Sequence, residues 1–332
     1  TTASNNTAVG YASLTENTTG TENTAVGSLA GDSITTGNRN IAIGFEALTA
    51  ASTGIQNTAV GRYALRACTT PNHNTAIGAR SLEVNTTGEY NTALGTFAGY
   101  ANTDGSNNVI AGYTALYNSV SQDRVVAIGY EALYNSNVDM ESFNTAVGYQ
   151  AGRASTSGYF NTFIGGEAGK GNTTGLKNTA IGTSAGSLST SGSKNISIGY
   201  NAQPPSNTSE NNCTLGNSDI DNLRCNDTSI SSLSDQRDKT EIIDLPIGLD
   251  FINTLKPRKF KWATRDGNVK DGRYNAGFIA QELQSAEASI DYLYLVMNEN
   301  PERLEAKEGH LLPVMVKAIQ ELSAEVQALK AA

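Results

Sequence analysis

Residues able to do chemistry are thinly spread in this chain. The cysteines, Cys68, Cys213 and Cys225, form no CxxC pair. An odd, widely spaced set gives no basis for a metal centre or a redox couple, and it fits reduced thiols better. His73 and His310 stand too far apart to read as one site, so each is expected at the surface or in packing. Acidic side chains over residues 1–233 are scattered without a recurring pair, whereas glycoside hydrolysis needs paired carboxylates. No Ser–His–Asp arrangement presents itself. Ser234 and Lys239 lie five residues apart, but a serine and a lysine at that spacing prove nothing alone. Ser234-Asp235 reads equally well as a turn or a helix cap. No metal and no cofactor is expected.

The element that would position any site is a repeat. The string NTAVG at residues 6–10 returns with small changes down to 212–216. Its closing glycine falls at Gly10 and then every 17 residues to Gly129, steps once by 19 to Gly148, and resumes every 17 to Gly216. That makes thirteen copies. The position before the glycine is aliphatic throughout, from Val9 to Leu215, and two residues earlier stands Thr, Ile, Val or Cys213. Residues two apart share one face of a strand, so both columns are expected to point inward, with Cys213 as a small buried hydrophobe. The alternating columns are Asn, broken only by Val125, and mostly Ala. Stacked Asn side chains can hydrogen-bond from coil to coil. The Ala row suits close approach of a neighbouring chain, or a flat solvent face.

Turn clusters such as Thr18-Thr19-Gly20 and Thr173-Thr174-Gly175 separate these strings. A unit of short strands with in-register columns reads as one coil of a β-solenoid, giving a mostly β shaft on the order of 60 Å long at ~4.8 Å per coil. Disorder fits the composition but does not hold an aliphatic column at fixed phase. Such a coil resembles the repeats of viral tail fibres and, more loosely, the heads of trimeric autotransporter adhesins. The resemblance implies a homotrimer. Two tyrosine columns mark the middle of the shaft: Tyr100, Tyr117 and Tyr134, and Tyr113, Tyr130 and Tyr149, beside the longer loop at Asn135–Phe143. Aligned rings there could stack on sugars of a host-surface receptor, or simply stiffen the rod.

After Pro204-Pro205 and the last copy the period stops, and Lys, Glu, Leu and the single Trp appear. The divisions expected are a shaft over 1–225, a linker over 226–233 and an α+β domain over 234–332. In that domain the pattern predicts a helix at Gly248–Leu255, a strand at Arg258–Thr264, and a polar hairpin at Arg265–Gly272. It continues with a strand at Asn275–Ala280, a short helix at Gln281–Ala286 and a strand at Tyr292–Met297. Pro313 sits near the first turn of a terminal helix. There Leu312, Met315, Ile319, Leu322, Val326 and Leu329 step by 3 and 4 like a coiled-coil seam. Packing of that helix on its own domain is the alternative.

Four blocks carry a second, closer resemblance: Ser234–Lys239, Leu255-Lys256-Pro257 with Phe260-Lys261-Trp262, Gly277–Glu282, and the helix Val316–Leu329. Together they resemble the C-terminal intramolecular chaperone of phage endosialidase tailspikes. The resemblance implies a domain that trimerises, guides folding of the fibre and releases itself by autoproteolysis. It places Ser234 as nucleophile, Lys239 as base and Leu233–Ser234 as the scissile bond. A neutral lysine can take the serine proton if burial or nearby positive charge, such as Arg237, favours the free amine. The resemblance thus implies single-turnover self-processing by a serine endopeptidase, and nothing in the sequence points to action on other substrates.

The expected function is therefore a viral tail fibre for host attachment, assembled in a host cytoplasm and carried in the virion. Its partners would be two further copies, a cell-surface receptor that could be a glycan, and upstream tail proteins. The chain opens in mid-repeat without an initiator Met, which reads as a piece of something longer. A formal charge of −9 argues against nucleic acid, and no apolar stretch is long enough to span a membrane. A bacterial trimeric surface adhesin and part of a polysaccharide-degrading tailspike are the competing readings. An ice-binding solenoid is set aside because its Thr column is expected to face inward.

Overall fold

The computed structural model describes all residues except 1, 71, 139–140, 221–222, 225–233, 264–271 and 303. Two compact units are present, Thr1–Leu223 and Arg224–Ala332.

The first unit is a β-solenoid of thirteen coils. Each coil contributes one three-residue strand, from β1 (Thr7–Val9) to β13 (Cys213–Leu215), to a single parallel sheet in sequence order. The register steps by one repeat, with Thr7 beside Thr24 and Ala8 beside Ala25. The remainder of each coil is turn. The closing glycines need their residue type: φ is +133° at Gly10 and +140° at Gly148, and a Cβ there would overlap the carbonyl of the next coil's glycine.

The interior is the reverse of the expected one. The Ala at the centre of most strands is sealed inside, as at Ala42, Ala59, Ala76 and Ala127, and so are the Asn residues two positions earlier, such as Asn40, Asn57 and Asn74. The aliphatic column points outward: Ile164 and Ile198 are 40% exposed. The Thr/Ile/Val column shares that outer face, and Cys213 is exposed. The Ala row is therefore neither a solvent face nor a contact with a neighbouring chain. Coil size explains the inversion. A 17-residue coil brings its strand against a wall of Ala and Leu, such as Ala47, Leu48, Ala64 and Leu65, leaving room for methyl groups and not for branched side chains.

That wall shows a trade between strain and volume. Leu48, Leu65, Leu82, Leu116 and Leu133 fill the core in the left-handed region, φ +48° to +51°, a conformation costly for any residue with a Cβ. Elsewhere glycine takes the slot without strain and vacates the volume. Beside three of these glycines a larger residue replaces the strand Ala: Ile110 packs against Gly99, and Phe163 packs against Gly152 and Gly169.

In the second unit, α1 (Leu249–Thr254), α2 (Ala280–Ala286) and α3 (Leu311–Ala331) surround a small core of Phe251, Leu283, Leu293, Leu295, Leu311 and Val314. Strand β14 (Arg258–Phe260) pairs antiparallel with β15 (Asn275–Gly277), and β16 (Val296–Met297) with β17 (Glu305–Ala306). The strands are shorter than the alternation implied, and β17 was not expected. The hairpin at Arg265–Gly272 lies outside the described residues except for Gly272. Helix α3 docks through Leu311, Val314 and Ala318, and Glu321 on it accepts a hydrogen bond from the Leu249 N–H at the start of α1 (2.7 Å). The predicted seam is a different face, and it is open: Leu312, Met315, Ile319, Leu322, Val326 and Leu329 are all exposed.

Phe163→Ala is expected to cost about 3–5 kcal/mol in denaturant unfolding by opening a cavity. Adding Gly169→Leu should recover most of the loss by restoring the arrangement of the Leu coils. Gly169→Leu alone should be worse, because its side chain meets the Phe163 ring.

Candidate functional site

Ser234 and Lys239 are brought together by one turn of 3-10 helix, Gln236–Asp238. Asp235 caps it, accepting from the Arg237 N–H at 2.9 Å, as a short side chain does at a helix start. The Asp238 and Lys239 N–H groups donate back to Asp235 and Gln236, each at 3.2 Å. The chain thus folds over five residues, and Lys239 Nζ comes to 2.5 Å from Ser234 Oγ and 3.4 Å from its carbonyl oxygen. Both residues are exposed. Leu233 lies outside the described residues.

Arg237 does not act on Lys239 as a free positive charge. Its Nε donates to both Asp235 oxygens, at 3.0 and 3.1 Å, and its terminal nitrogen to one of them at 2.5 Å. The hydrogen bonds from Arg237 hold the Asp235 carboxyl below the usual carboxylate range and raise the guanidinium in return. The turn is therefore locked by a forked ion pair that contributes no net charge.

The tyrosine columns form a ladder. Tyr100 and Tyr117 stack at 5.0 Å between ring centroids, Tyr117 and Tyr134 at 5.2 Å, with planes 12° and 4° apart. Tyr113, Tyr130 and Tyr149 stack likewise at 5.7 and 5.3 Å and are more exposed. Phe97, which sequence reasoning missed, joins the columns by meeting Tyr100, Tyr113 and Tyr117 edge-on. Its position two after the glycine is otherwise variable, so no column pattern marked it. The Arg153 guanidinium lies 5.5 Å from the Tyr134 ring. Because the ring faces are turned on one another, the ladder offers a ligand its edges and hydroxyls. Neighbouring loop residues are tied down by a bridge between Asp123 and Glu141 and by stacking of Phe143 on Phe160.

His73 stacks on Tyr90 at 5.0 Å, and His310 Nδ1 lies 2.7 Å from the Leu293 carbonyl, so both serve packing. Burial pushes the Cys68 thiol up to about 12, which keeps it protonated and unreactive. Among the described residues no group of His, Cys, Asp and Glu could hold a metal ion, and no helix is long and apolar enough to cross a membrane.

The chain is thus a solenoid shaft followed by a small α+β unit in which a serine and a lysine share one turn. Residues 234–292 match the family model described as chaperone of endosialidase. With the thirteen-coil shaft, this fits a tail fibre or tailspike-like protein with an endosialidase-type chaperone domain. The matched family implies a self-cleaving domain and trimeric assembly. No curated protein and no solved structure matches the chain significantly.

The carboxylate of Asp235 is expected to keep its charge to lower pH than a free aspartate. The ion pair holds above that range and is lost as pH falls through the depressed value. An NMR titration checks this, and Arg237→Ala should move Asp235 back toward the ordinary range by removing the guanidinium while keeping the backbone N–H.

Proposed function

We propose that this chain is a host-attachment fibre whose residues 234–332 trimerise, direct folding of the shaft and then free themselves by cutting Leu233–Ser234. In this reading 1–225 is the shaft and 226–233 the linker that carries the cut. The observation that supports it most is the 2.5 Å contact between Lys239 Nζ and Ser234 Oγ, at the first residue of the matched segment.

In the proposed step the Lys239 amine takes the Ser234 hydroxyl proton as Oγ attacks the Leu233 carbonyl carbon. The Leu233–Ser234 amide C–N bond breaks, and the departing Ser234 amine receives the proton back from the lysine. Leu233 is then held as an ester on Oγ, and water hydrolyses that ester. The acyl group moves only from a residue's nitrogen to its own side-chain oxygen, so the nucleophile needs no other chain.

Assembly would begin at the open α3 seam, since a strip of six exposed apolar residues on one helix is stable only against partner helices. Receptor contact is proposed at Tyr100, Tyr117 and Tyr134, through their hydroxyl edges and Arg153.

Ser234→Ala should give a trimeric but uncut chain on a denaturing gel, and Lys239→Ala should slow cutting by roughly 10²–10⁴-fold through loss of the general base. A Ser234→Ala chain still cut between residues 233 and 234 would rule out the serine as nucleophile. Leu322→Asp should prevent assembly and leave aggregated, uncut protein. Tyr117→Ala with Tyr134→Ala should weaken binding to host cells, whereas unchanged binding would put the contact elsewhere on the fibre.

A further inference from the structure

The outer face of the sheet is the wrong way round for a surface meeting water. Each of the thirteen strands turns two side chains outward, and none of the 26 is charged. The third strand position is apolar in every coil: Val9, Val26, Ile43, Val60, Ile77, Leu94, Ala111, Ile128, Val147, Ile164, Ile181, Ile198 and Leu215. Most of these are 37% exposed or more. The first position mixes Thr with Ile, Val and Cys. Charged residues such as Glu22, Arg39, Arg124 and Lys177 stand just before the Asn column, off this stripe. At ~4.8 Å per strand and ~3.3 Å per residue the stripe covers roughly 60 by 10 Å, on the order of 600 Å² before side-chain relief. That is at or above the largest apolar patch of an ordinary monomer, about 300–600 Å², and approaches the roughly 800 Å² that each partner contributes to a specific interface.

We infer that this stripe is the surface through which three copies of the shaft meet, side by side, parallel and at equal height, with the unbroken aliphatic column nearest the common axis. The inference rests on the three-chain assembly proposed above and names the face that assembly uses. A second and third copy are the occupants the stripe fits. It has no charge to pair with a foreign partner. Its spacing is the repeat itself, so copies at equal height present the same aliphatic residue in every layer, and a threefold axis closes the set with no face left over. The position with tolerated Thr lies further from the axis, where a hydroxyl can still reach water or a neighbour.

The test uses the full chain with Cys213→Ser and Cys225→Ser, so that only buried Cys68 remains. Ile181→Cys, on the aliphatic column, should oxidise to disulfide-linked pairs of chains on a denaturing gel, two of every three thiols meeting near the axis. Thr174→Cys, on an exposed turn of the same region, should give none. In a second measurement Ile164→Asp with Ile181→Asp should destroy the three-chain mass of the released shaft in light scattering, and Thr162→Asp with Thr179→Asp should damage it less. A three-chain particle in which Ile181→Cys stays unlinked, or which survives Ile164→Asp with Ile181→Asp, would assign the interface to another face and leave the trimer standing. A single-chain mass for unsubstituted protein would remove the trimer itself and this inference with it. Freezing-point hysteresis from the released shaft would give the stripe to ice and overturn the proposal.

Discussion

The shaft depends on one side chain answering for two backbone groups of the next coil. In coil after coil the Asn Oδ1 accepts the N–H of the Asn 17 residues on, as from Asn178 to Asn161 at 2.9 Å. The same amide's Nδ2 donates to a turn carbonyl 14 residues on, as from Asn161 to Gly175 at 2.9 Å. These groups are buried, and an unpaired one costs about 1–3 kcal/mol. A coil with three residues of strand and the rest turn cannot stitch itself by backbone pairing alone. An amide is the smallest group with a donor and an acceptor at the needed distance. Aspartate would lose the donor and bury a charge, and glutamine would overrun the gap.

A rod held by the same staple at all but one height, Val125, carries little internal mark of register. Sliding one shaft past another by a coil exchanges each contact for its near-copy, and strand pairings of that kind are poorly discriminated. Register must therefore come from residues outside the repeat. The second unit has what the shaft lacks: an aperiodic core, polar contacts made once each, such as Glu321 at the start of α1, and a helix with one face docked and another free. Its removal after folding would leave a shaft held by the height of its unfolding barrier, with no guide for re-forming.

The period, the coil count and the helices were legible because each is written in columns or in 3.6-residue steps. The faces were not. Aliphatic size suggested that Ile43 or Ile164 lay inside and Ala42 outside, yet large apolar residues are no guide when a strand's outer face is apolar as well. In a strand with period two, one step of phase exchanges the faces. The Ser234–Lys239 turn was legible only through its neighbours in several matching blocks. The forked bond from Arg237 to Asp235 depends on the capped turn geometry, which five letters do not specify. Strand β17 was missed because Glu305–Ala306 has neither alternation nor β-propensity, and only pairing with Val296–Met297 makes it a strand.

The single irregular step, from Gly129 to Gly148, falls in the one coil where Val125 replaces Asn. Strand register passes through it unchanged, with Val126 beside Thr145. Two residues are thus added between strands without displacing their pairing, and doubling the length of such a connection costs only about 0.6 kcal/mol in closure entropy. A particle built of interchangeable coils thus has a place where length can vary freely while the architecture stays constant. The outline of such a rod can change there by insertion and deletion, without renegotiating the fold at each change.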